Sequence, residues 1–68
     1  MALFRKDKHK YRIGQFIFYR SSAGCAGGVI VEFHKDRMKV DVREGNVSAF
    51  PKGTAHWFLI NDSDWSES

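Results

Sequence analysis

Cysteine is almost missing from this 68-residue chain. Cys25 stands alone, so no internal disulfide can form, folding does not depend on oxidation, and a cytoplasmic setting is expected. Long hydrophobic runs are missing too. The longest, Trp57 to Ile60, is far too short to cross a bilayer, and no membrane association is expected. Basic residues crowd Met1 to Lys10, but no apolar segment follows them, so no signal peptide is expected. Metal-ligand pairs are lacking: Cys25, His9, His34 and His56 are scattered singly, whereas structural zinc wants them in close pairs. The glycine-rich stretch Ser21 to Gly28 has no lysine where a phosphate-cradling loop needs one. No dinucleotide fingerprint or nucleophile elbow occurs, and no cofactor is expected.

Catalysis has little to build on. Cys25 sits among small residues, with no basic neighbour or helix start to lower its pKa. Glu32, Asp36, Asp41 and Glu44 fall beside Lys and Arg and read as surface charges rather than an acid–base couple. The expectation is a non-enzymatic protein.

What the chain does have is apolar and aromatic content, 43% and 15%, enough for one globular domain near the lower size limit for folding unaided. Its clearest signal is a β-hairpin over Gly27–Arg43. Val29, Val31 and Phe33 alternate with other residues, as do Met38, Val40 and Val42, and that period of two marks half-buried strands. A four-residue connection, His34–Arg37, sets Phe33 opposite Met38, Val31 opposite Val40, Val29 opposite Val42 and Glu32 opposite Lys39. A slip by one residue would bury Lys39 and Asp41.

Upstream, Phe16–Arg20 is a strand apolar on both faces. Either Ile17 and Tyr19 point inward or Phe16 and Phe18 do. Ser21–Gly28 reads as a small-residue loop. Downstream come a turn at Glu44–Asn46, a short strand Val47–Phe50 stopped by Pro51, a turn Pro51–Thr54, and a last strand His56–Ile60. Asn61–Ser68 reads as a frayed polar end whose Trp65 can pack back on the domain. The whole is all-β: a mobile basic arm over 1–10, one five-stranded small barrel over 11–61, and an acidic tail over 62–68.

The order of strands resembles the SH3-like small barrels. Ile13-Gly14-Gln15-Phe16-Ile17 followed by Gly28-Val29-Ile30-Val31 resembles the opening of KOW and Tudor-type members. Gly28-x-Ile30-x-x-Phe33 followed by Met38 also resembles the first motif of Sm-like proteins, which share the barrel and would imply a ring. From that motif the chain departs at His34, at Lys39 and in a loop one residue longer.

The net charge of +3 is unevenly spread. Residues 1–20 carry Arg5, Lys6, Lys8, Lys10, Arg12 and Arg20 against Asp7 alone, while Asp62, Asp64 and Glu67 close the chain. Arg37, Lys39 and Arg43 alternate along one strand, with Lys35 at the hairpin tip. These bases, joined by Lys6, Lys8, Lys10 and Arg12, form the expected phosphate-binding surface of a small RNA- or DNA-binding module, with Phe16 and Phe18 as stacking platforms. The competing expectation is a protein-interaction module. It would capture a peptide or subunit through an aromatic groove using Trp65, Tyr11 and Tyr19, or through a strand edge, homo-oligomers included.

Overall fold

The computed structural model describes residues 11–67, and among these there is no helix. Five strands are present: β1 Phe16–Ser21, β2 Gly24–His34, β3 Arg37–Gly45, β4 Ala55–Leu59 and β5 Trp65–Ser66. They form one antiparallel sheet in the order β4-β3-β2-β1-β5. The sheet is curled without being closed: no ladder joins β4 to β5 among the described residues.

The central hairpin has the expected register at its tip, with Phe33 opposite Met38 and Glu32 opposite Lys39. The connection is tighter than four residues. His34 pairs with Arg37, leaving Lys35–Asp36 as the turn, and Lys35 takes a φ of 57°. Further from the tip the expected register fails. Ile30, not Val31, faces Val40, and Val42 faces Gly28 rather than Val29.

The cause is that β2 serves two neighbours. Along its first half Ala26, Gly28 and Ile30 face the core, matching Tyr19 and Ile17 on β1. Along its second half the inward residue is Phe33, opposite the fully buried Met38. Even and odd positions change roles, which requires one extra residue. Val31 is that residue, a bulge 41% exposed. A second irregularity leaves Arg43 unopposed on β3. Bulges bend the strand that carries them, so the two together favour the curl.

Three other expectations are corrected. Ser21–Gly28 is not a loop: only Ser22–Ala23 turn, and Gly24 onward is strand. Its small residues suit close cover by neighbours, since a Cβ on Gly27 would lie 2.8 Å from the Phe16 ring and one on Gly28 2.6 Å from the Asp41 carbonyl oxygen. Val47–Phe50 is a turn, not a strand, closed by Phe50 N–H donating to the Val47 carbonyl at 3.3 Å. It buries Val47 and Phe50, three residues apart, where a strand would bury alternate ones. The expected frayed end instead supplies β5, where Trp65 pairs with Tyr19 and is 1% exposed.

Met38, Val40 and Val42 are fully buried, as are Ile17 and Ile30. At one end of the core lies an aromatic cluster. The Phe50 ring stands 4.9 Å from Tyr19 and 5.1 Å from Phe58, and Trp65 stands 5.2 Å from Tyr19 and 5.0 Å from Phe58. Phe58 belongs to β4 and Trp65 to β5, so the two extremes of the sheet meet through their rings.

Candidate nucleic-acid interface

The outer face of the sheet follows from strand alternation. With Met38, Val40 and Val42 turned inward, Arg37, Lys39 and Asp41 must stand outward. With His56 and Phe58 on the inner side of β4, Ala55, Trp57 and Leu59 stand outward as well. On β1 the ambiguity resolves: Ile17 is fully buried and Tyr19 packs on the core, so Phe16 and Phe18 face out.

Register then sets the neighbours. Arg37 lies opposite Leu59 and His34, and Lys39 lies opposite Trp57 and Glu32. Trp57 and Leu59 are 40% and 46% exposed, a large apolar surface for a strand flanked by cations. The Lys39 ammonium sits 5.9 Å from the centre of the Trp57 ring, within cation–π reach, rather than on Glu32, its cross-strand partner. The His34 ring stands edge-on to the same indole at 6.3 Å. Both neighbours lie on the β3 side of β4, so the Trp57 ring leans over the hairpin with part of its surface open.

The remaining expected contacts are less concentrated. Lys35 is exposed at the hairpin tip, close to Arg37. Arg43 is exposed, but its Nε donates to Asp41 Oδ2 at 3.1 Å, which partly neutralises it. Arg12 is exposed in the turn before β1, where its backbone N–H donates to Gln15 Oε1 at 2.9 Å. Lys6, Lys8 and Lys10 lie outside the described residues. Phe16 and Phe18 pack together with ring centres 5.2 Å apart, and Phe16 is 37% exposed. Three interstrand steps separate β1 from β4, so the phenylalanine pair lies on the order of 14 Å from Trp57.

The face thus brings together Lys35, Arg37, Lys39 and Trp57, with Phe16 and Phe18 as a second apolar spot. Sequence reasoning places Trp57 in the last strand and chooses Phe16 and Phe18 as the platforms instead. The signal was there in its alternation with His56 and Phe58, once Phe58 is taken as inward. Trp65 and Tyr11, the aromatics expected to line a peptide groove, are core residues instead. The Tyr11 hydroxyl donates to the Trp65 carbonyl at 3.1 Å.

An open groove of about 410 Å³ lies at the far end of the sheet, lined by Phe18, Tyr19, Arg20, Cys25, Ala26, Glu44 and Gly45. Cys25 there is exposed, and its backbone N–H donates to Asn46 Oδ1 at 3.0 Å. Among the described residues no three of His, Cys, Asp and Glu converge as metal ligands. No helix among them is long and apolar enough to cross a membrane. No family model, curated protein or solved structure matches the chain.

Proposed function

We propose that the protein is a non-enzymatic SH3-like small barrel that binds single-stranded RNA or DNA on the outer face of β3 and β4. The observation that carries this reading is the exposed Trp57 ring beside Lys39 and Arg37 on one face. A base can stack on the indole while the neighbouring cations neutralise the phosphates on either side of it. Stacking accepts any base, and phosphate contact carries no sequence information, so affinity arises with little base readout. Phe16 offers a second, more distant platform. Supporting the barrel itself are the strand order, the curl and the meeting of Phe58 with Trp65.

Titration with short oligonucleotides, followed by tryptophan fluorescence, tests this. Trp57 is open and Trp65 is buried, so quenching on binding reports the proposed face. With Lys35, Arg37 and Lys39 engaged, the logarithm of affinity should fall with the logarithm of salt at a slope of about −2. Reversing Arg37 and Lys39 to Glu should abolish binding without unfolding the domain. A flat salt response, or unchanged affinity in that double variant, sinks the reading.

A further inference from the structure

The backbone of β4 has one side committed to β3, and among the described residues no strand pairs with its other side. Val42 N–H donates to the Thr54 carbonyl at 2.8 Å, and Ile60 N–H donates to the Asp36 carbonyl at 2.9 Å. These bonds bracket the β3–β4 ladder. In an antiparallel ladder every second pair is hydrogen-bonded, so the bonded pairs between them are Met38–Phe58 and Val40–His56. The N–H and C=O groups of Ala55, Trp57 and Leu59 therefore point away from the sheet. Among the described residues one of these groups is engaged, the Leu59 carbonyl, which accepts Asp62 N–H at 3.1 Å. The same three residues carry the exposed side chains of the strand.

Edge strands of this kind are normally blunted by lysine, proline or a bulge. Ala55-His56-Trp57-Phe58-Leu59 has none of these. We infer that β4 pairs with β4 of a second copy of this chain, antiparallel about a two-fold axis through Trp57. The occupant is chosen by self-complementarity. That register sets the large Leu59 against the small Ala55 of the other copy on both sides of the axis, and the two Trp57 residues face each other as a hydrogen-bonded pair. It also sets Arg37, beside Leu59, in one row with Asp41, which stands beside Ala55, so opposite charges flank the joint. Head-to-tail growth is disfavoured because the other sheet edge, β5, offers only Trp65–Ser66. A closed two-copy assembly with one continuous sheet results. This inference does not rest on nucleic-acid binding.

Sedimentation equilibrium of the full chain, from low micromolar to millimolar protein, tests it. The expected result is a reversible monomer–dimer equilibrium, with amide exchange at Trp57 and Leu59 slowing as concentration rises. Leu59→Lys puts a charge on the joint, and Ala55→Pro removes an outward N–H. Each should weaken the dimer at least tenfold while circular dichroism stays that of the folded monomer. Should a variant fail to fold, the concentration dependence of exchange in the unmodified chain still decides. A monomer throughout, a ring or filament, or a dimer indifferent to both substitutions overturns the inference. So does concentration-independent protection of the β4 amides, which would assign the edge to another part of the same chain.

Discussion

Gly28 faces the core where the β2 and β3 backbones approach closely. A methyl group there would lie 2.7 Å from Val40 Cγ1 and 2.6 Å from the Asp41 carbonyl oxygen, and a paired backbone cannot step aside as a side-chain tip can. Gly28→Ala is expected to lower stability by about 1–3 kcal/mol, read from the urea midpoint. Lys35 has the opposite character. Its φ of 57° suits glycine, and a side chain held in the left-handed region costs roughly 1–2 kcal/mol. Lys35→Gly should therefore raise stability by up to about 1 kcal/mol, seen as a higher urea midpoint, some of the relief being offset by the greater freedom of glycine in the unfolded chain. The same change should weaken oligonucleotide binding, because a tip cation is lost. Trp65 Nε1 is buried with no hydrogen-bond partner among the described residues. Trp65→Phe should thus be far milder than Trp65→Ala, for which about 3–5 kcal/mol is expected.

At the level of elements, the hairpin shows what alternation can and cannot convey. Met38, Val40 and Val42 were legible as core because β3 keeps one phase from Arg37 to Val42. β2 was misread at Ile30 and Val31 because Val29-Ile30-Val31 is apolar at every position, and a bulge in such a run leaves no trace in hydropathy. The paired contrast is measurable. Ile30→Ala should cost about 2–5 kcal/mol, whereas Val31→Ala should stay within about 0.5–1 kcal/mol. Equal costs would mean that the phase change is wrong. Gly24–Gly28 was taken for a loop since glycine usually marks one, yet here small residues are what a strand needs beneath Phe16 and against Asp41. The candidate site was half legible. Its cations could be read from β3 alone, but Trp57 joins them only through the pairing of β3 with β4, a relation between distant parts of the chain.

For the whole molecule, one aromatic cluster joins β1, β4, β5 and the Val47–Phe50 turn. A domain this small has little stability to spare, so the loss of any member should be felt everywhere at once. A chain ending at Asn61 would lack Trp65, and is expected to show no cooperative thermal transition by calorimetry, although it loses only a two-residue strand. Retained cooperativity would mean that the sheet stands without that strand.

The meeting of Phe58 with Trp65 is a seam closed by rings, with no strand ladder across it among the described residues. The backbone bonds beside it are those of the connecting turns, Asp62 N–H to the Leu59 carbonyl at 3.1 Å and Trp65 N–H to the Asp62 carbonyl at 3.2 Å. Parting the two edges would break apolar contact while leaving every ladder intact, so the molecule can loosen like a cuff before it unravels. The amide of Trp65, bonded to the Asp62 carbonyl in the connecting turn, should accordingly exchange with solvent by a smaller opening than that of Val40, and the gap between the two would measure how firmly the cuff is fastened.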